Sequence, residues 1–179
     1  MNPPFTFDDR SDVAALVYRA GENPDGVLAG FLRDLHGQGF DAVGLLQRSR
    51  TSGCGDAAFA LFPPDDPPDA PRYGRVGDEL DDRARRLVEL LEERPDILVL
   101  NRFGWQEANG AGLLDVLARA LVREVPVVIA VPEPLFAHWL DLTGGLSVRL
   151  PCDRAKLDSW WRSLWQPHPP GTMICERDK

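Results

Sequence analysis

Lysine is nearly missing from this 179-residue chain: Lys156 and Lys179 are the only two, and arginine carries the rest of the positive charge. Any chemistry that needs an ammonium group has almost nothing to draw on. Cysteine is scarce as well. Cys54, Cys152 and Cys175 form an odd, widely spaced set, which excludes a disulfide framework and a Cys-x-x-Cys zinc site and leaves isolated thiols as the reading. An excess of positive charge is absent: Lys plus Arg total 20 against 28 for Asp plus Glu, a formal net charge of -8. Affinity for a phosphate backbone comes from neutralising phosphates, so nucleic acid is not an expected partner. Apolar runs such as Ile97 to Leu100 and Val125 to Val131 fall far short of the roughly 20 residues of a membrane span. The stretch Met1 to Asp12 is acidic and carries proline, without the basic start and apolar core of a signal peptide, so a cytoplasmic location is expected.

What is present suffices for a packed core. The chain is 44% apolar and 27% charged, with five Trp and eight Phe, which separates it from disordered sequences, and its length suits one domain. The expected organisation is a flexible N-terminus over 1–12, a single α/β domain over 13–165 and a C-terminal tail over 166–179. Within the domain, Pro63 to Pro71 is dense in Pro and Asp and reads as an exposed loop.

Apolar runs at Val13 to Tyr18, Ala42 to Gln47, Ala57 to Phe62, Ile97 to Leu100, Val125 to Val131 and Leu146 to Leu150 predict strands. Between them, helical spacing predicts helices over Asp25 to His36, Glu79 to Glu93, Leu113 to Val122, Pro134 to Leu142 and Asp153 to Leu164, the first ending on a left-handed Gly39. Strands alternating with helices predict a three-layer α/β sandwich with a mostly parallel sheet, whose ligands gather at the carboxyl ends of the strands.

Two loops fall at that edge. After the first strand, Arg19 to Leu28 carries Gly21 and Gly26 at the spacing of the phosphate-cradling Gly-x-x-x-x-Gly-Lys-Ser/Thr loop, but Val27 stands in place of the lysine and Leu28 in place of the hydroxyl. Glu22 and Asp25 bring negative charge, and Pro24 removes an N–H donor. The same residues also read as a turn and helix cap. After Leu100 come Asn101, Arg102, Phe103, Gly104, Trp105, Gln106 and Glu107, where a nucleotide hydrolase would place an acid for magnesium or water. An amide and a cation lead instead, and Glu107 is the loop's only acid. Arg19, Arg102 and Arg48 are the cations that would line a cleft between the two loops.

The segment Asn101-Arg102-Phe103-Gly104-Trp105-Gln106-Glu107-Ala108-Asn109-Gly110-Ala111-Gly112 resembles the Asn-Lys/Arg-Phe-Gly-x-x-Glu-x-x-Gly-x-Gly signature of the bacterial domain of unknown function family 2478. The likeness implies a fold similar to P-loop nucleoside triphosphatases, with a degenerate phosphate loop, and a setting near molybdate-transport or nitrogenase genes. Trp105 departs from the lysine frequent in the family, and Leu114 from a frequent basic residue. The loop also resembles the Asp-Glu-x-Gly-x-x-Glu segment of small P-loop triphosphatases, with Asn101 and Arg102 on the leading acids, Gly104 on the glycine and Glu107 on the trailing acid.

Together these features predict a non-catalytic P-loop-like domain that binds a small oxyanion, a nucleotide fragment or a protein partner, including a second copy of itself. Its ligand-binding set is Arg19, Gly21, Gly26, Arg48, Asn101, Arg102, Gly104 and Glu107, with no cofactor and no metal. The alternative is a nucleoside triphosphate hydrolase in which Arg19 or Arg102 replaces the lysine and Glu107 orients water. Cys54, flanked by glycines, lacks a His placed by sequence to activate it. Trp160, Trp161 and Trp165 on the last helix are expected to pack into the core or to cover a subunit contact.

Overall fold

A computed structural model describes residues 11–48, 58–62, 76–110 and 113–165. The expectations for Cys54, Cys175, the 63–71 loop, the 166–179 tail and most of the N-terminal segment lie outside these residues. Among the described residues one sheet runs in the order β3-β2-β4-β5-β1-β6, built from β1 (Val13–Tyr18), β2 (Ala42–Arg48), β3 (Ala58–Phe62), β4 (Ile97–Leu100), β5 (Val127–Pro132) and β6 (Val148–Pro151). Every neighbouring pair is parallel except β2 and β3, which run antiparallel at one edge. The expected mostly parallel α/β class is the observed one.

Period-two alternation sorts the strand side chains into two layers. Val13, Ala15 and Val17 of β1, with Leu98 and Leu100 of β4, join Val127, Ile129 and Val131 of β5 on one face. That face is covered by α2 (Val76–Glu92), α4 (Leu114–Val122) and α5 (Phe136–Leu142). Ala14 and Leu16 with Ile97, Val99 and Val128 line the other face, under α1 (Pro24–Gly37) and α6 (Arg154–Leu164). Burial on both faces is why β1, β4 and β5 are continuous apolar runs rather than alternating ones. The close approach of β2 to β4 needs glycine at position 44: a Cβ there would lie 2.6 Å from the Val99 carbonyl oxygen.

Helix ends follow the expected chemistry. Asn23 caps α1 by accepting from the Gly26 N–H at 3.0 Å, Pro24 fills the first position, and the chain leaves through Gly39 at φ +87°. Asp153 caps α6 by accepting from the Lys156 N–H at 2.9 Å. Several expected boundaries shift: α2 starts at Val76 rather than Glu79, a short 3-10 turn, Glu133–Leu135, precedes α5, and β6 starts at Val148 rather than Leu146. Val125 does not start β5. Its N–H closes α4 by donating to the Ala120 carbonyl, with Glu124 in the left-handed region at φ +57°, so the strand begins after Pro126. The loop after β4 contains a helical turn, α3 (Trp105–Ala108).

On α6, Trp160 and Trp161 are buried, and Trp161 meets Phe31, Phe40 and Trp165 edge-on with centroids 5.3–6.2 Å apart. Trp165 shares that stack while remaining exposed. The Trp160 indole N–H also donates to the Ser11 carbonyl at 2.9 Å, and the Asp12 carbonyl accepts from Val127, so the entry to β1 is tied into the sheet and the last helix.

Candidate functional site

Asn101, at the carboxyl end of β4, is buried and uses its amide as a splice between three elements. Its Oδ1 accepts from the Gln47 N–H of β2 at 2.7 Å, and its Nδ2 donates to the Gln47 carbonyl at 2.7 Å and to Asp25 Oδ1 in the first turn of α1 at 2.8 Å. Paired donor and acceptor continue the β2–β4 ladder one step past the last strand residue, which a carboxylate could not do because it has no donor. Both amide hydrogens are thereby used. The β1–α1 loop and the Asn101 loop are joined directly through the contact to Asp25.

The β1–α1 loop is a tight turn and cap. The Glu22 N–H donates to the Arg19 carbonyl at 3.1 Å, the Arg19 N–H donates to the Glu22 carboxylate at 2.6 Å, and Gly21 sits at φ +91°. Gly26 lies inside the first turn of α1, its N–H already taken by Asn23, and a Cβ on it would lie 2.8 Å from the Asn23 amide nitrogen. Leu28, in the place of the magnesium-binding hydroxyl, is fully buried under the α1 face of the sheet.

Glu107 is turned inward. Its Oε2 accepts from the Gly104 N–H at 2.8 Å and its Oε1 from the Leu113 N–H at 3.1 Å, in a buried position. It holds the Asn101 loop to the start of α4, and Gly104 keeps room for it: a Cβ there would lie 3.3 Å from Oε2. Arg102 is exposed. It lies near enough to Tyr18 to act on the phenol, whose pKa burial pushes up; Arg102 opposes that rise while Asp25 and Cys152 add to it. Arg48 ends β2 at the same edge, and its side chain lies outside the described residues.

The open space at this edge lies beside Arg19. A cavity of about 350 Å³ is lined by Arg19, Glu22, Glu133, Arg149 and Cys152, with Val17 and Pro151 as its apolar wall. Glu133, which follows β5, is gripped from two sides: Arg19 donates to both its oxygens at 2.8 and 3.0 Å, and Arg149 of β6 donates at 3.0 Å. The hydrogen bond from Arg19 holds the Glu133 carboxyl below the ordinary value. Arg149 also stacks on the Phe136 ring at 5.0 Å. Burial raises the Cys152 thiol, with Glu22 and Asp153 adding to the rise, which disfavours the thiolate. Glu133 and Arg149 were not among the residues expected from sequence. Their signal was positional, since Glu133 directly follows β5 and Arg149 lies on β6, two strands whose carboxyl ends meet at this crevice.

Comparison with known proteins places the molecule. Residues 77–160, from α2 through most of α6, match the family described as Protein of unknown function (DUF2478). The matched region covers just under half of the chain. It contains the whole Asn101 loop that carried the resemblance, and lies apart from the β1–α1 loop. The chain is also 35% identical over 167 residues to the Molybdenum import ATP-binding protein ModC 2 of Bradyrhizobium diazoefficiens; the match covers 86% of this chain but only 18% of that protein. The chain therefore spans less than a fifth of that relative. No solved structure matches. The architecture and the ATP-binding relative agree with a P-loop-like α/β fold. Among the described residues no helix is long and apolar enough to cross a membrane, and no group of His, Cys, Asp and Glu is placed to hold a metal ion.

Proposed function

We propose that this protein is a non-catalytic, P-loop-like binding domain that takes a small oxyanion or the phosphate end of a nucleotide in the crevice beyond β5, β1 and β6. The observation that carries this reading is the Arg19–Glu133–Arg149 cluster: two guanidinium groups converge on one carboxylate in a cavity large enough for a tetrahedral anion. Guanidinium forks suit carboxylate, phosphate and related oxyanions. Phosphoryl transfer rests almost entirely on electrostatic stabilisation. Its usual providers are replaced by Val27, Leu28 and an Asn101 spent on Gln47 and Asp25.

The hydrolase alternative has less support, because both oxygens of Glu107 already hold backbone N–H groups. Molybdenum enters the reading through the relative's name, which makes molybdate and tungstate the first oxyanions to try. Isothermal calorimetry with molybdate, tungstate, phosphate, ATP and GTP tests the reading. Heat and a thermal shift with one of these, weakened at least tenfold in Arg149→Ala, are expected. Silence from all of them refutes the ligand, and nucleotide-stimulated phosphate release lost in Glu107→Gln refutes the non-catalytic assignment.

A further inference from the structure

A second cavity, about 730 Å³, lies away from the strand carboxyl ends, on the outer surface between α2 and α4. These helices lead into the amino ends of β4 and β5 and lie side by side on one face. The groove between them has an apolar strip, Val88, Ala118 and Val122, bordered by Arg85, Arg94, Arg119 and Arg123, with Asp115 as the one acid in its lining and Asp82 pairing Arg85 from outside it at 3.0 Å. In a chain where acids outnumber bases 28 to 20, four arginines on one groove run against the overall charge.

Three further observations make this more than a solvated face. Arg119 and Arg123 both pair with Glu92, which holds the two guanidinium groups on the groove while leaving most of their donors unused by that contact. Arg94, just past the end of α2, has no ion-pair partner among the described residues. Val122, the last residue of α4, is 84% exposed, and Ala118 one turn earlier is exposed beside it, while Val116, Leu117 and Ala120 of the same helix are buried.

From this charge and shape we infer that the α2–α4 groove docks an acidic segment of a partner protein, its carboxylates meeting the arginines and an apolar side chain lying on the Val88–Ala118–Val122 strip. A lone oxyanion would leave the strip uncovered. An amphipathic acidic segment satisfies both components, since interfaces with an apolar centre and arginine anchors bind this way. This surface is separate from the Arg19–Glu133–Arg149 crevice and does not depend on what that crevice binds.

The test uses the full chain and a fluorescein-labelled 14-residue helical peptide with glutamates flanking leucines spaced three and four apart. A control peptide has every glutamate replaced by glutamine, and a single-stranded oligonucleotide of equal charge serves as a polyphosphate control. Anisotropy is expected to report saturable binding of the acidic peptide, weakened on the order of tenfold by threefold more salt, as an ionic interface requires. The glutamine peptide should not bind. Arg94→Glu with Arg119→Glu should weaken binding at least tenfold. Val122→Asp, at a site too exposed to affect folding, should do the same, whereas Arg149→Ala should leave it unchanged. Absence of acidic-peptide binding to 1 mM, equal binding by the groove variants, or preference for the oligonucleotide overturns the assignment.

Discussion

Replacing Asn101 with aspartate restores the acid that a nucleotide hydrolase would carry at the end of β4, and the surroundings of Asn101 set what that costs. The new carboxylate would stand where Nδ2 now donates to Asp25 at 2.8 Å and to the Gln47 carbonyl at 2.7 Å. At that separation and an effective dielectric constant of about 20, two like charges repel by about 6 kcal/mol. The alternative is to bind a proton, which for a carboxyl of ordinary pKa near 3.9 costs about 4.9 kcal/mol at pH 7.5 and about 1.5 kcal/mol at pH 5. The cheaper route wins at each pH, so the charge penalty falls by roughly 3 kcal/mol between pH 7.5 and pH 5. The sign follows from linkage: a carboxyl whose folded pKa is raised is tolerated at low pH and destabilises progressively as pH rises through that value. Asn101→Ala supplies the reference, losing the three hydrogen bonds at about 3 kcal/mol with little pH dependence. Urea unfolding of wild type, Asn101→Ala and Asn101→Asp at the two pH values measures all of this. Equal midpoints for Asn101→Asp and wild type at pH 7.5, or an Asn101→Asp deficit that does not shrink at pH 5, would show that the amide is not the splice described.

Four further outcomes are expected. Glu107→Gln should destabilise by about 1–2 kcal/mol in denaturant titrations, because one of the two backbone N–H groups loses its acceptor, while phosphate release stays at background. Gly44→Ala should lower stability by about 1–3 kcal/mol, since the added Cβ meets backbone rather than a movable side chain. Glu133, held below its ordinary pKa by Arg19, should titrate by carboxyl-carbon NMR with a midpoint under the 4.5 of an ordinary glutamate, so the arginine grip is complete at neutral pH and lost only as acid passes that midpoint. In a Cys54→Ser/Cys175→Ser background, the Cys152 thiol should react with a disulfide reagent more slowly than glutathione at pH 8, with a rate still rising past pH 9.

The scaffold was legible because its signals are local. The apolar runs of β1 and β4 coincide with their observed limits, and the turn from α1 into β2 follows from one left-handed glycine. The direction of β3 was not legible, since period-two alternation is the same in parallel and antiparallel strands. The polar chemistry divides along the same line. Glu107 grips an N–H three residues before it, a short-range relation open to sequence reading. Asn101 finds Gln47 and Asp25, 54 and 76 residues earlier, and Arg19 finds Glu133, 114 residues later. Those partnerships exist only once the strand order has brought β1, β2, β4 and β5 side by side. Residue types alone suggested that Arg19 and Asn101 face ligand, whereas folding gives each a protein partner.

The bond from Trp160 to the Ser11 carbonyl has an architectural consequence. The chain enters the sheet at the amino end of β1, and α6, after leaving β6 at the opposite rim, brings the chain back to that same corner. Entry and exit are neighbours, and both stand at the far rim from the Arg19–Glu133–Arg149 crevice. A unit with this layout can be spliced as a cassette into a longer polypeptide, or have its ends joined and be reopened elsewhere, without flanking sequence crossing the crevice. It is a geometry compatible with the matched stretch forming 18% of a much longer relative.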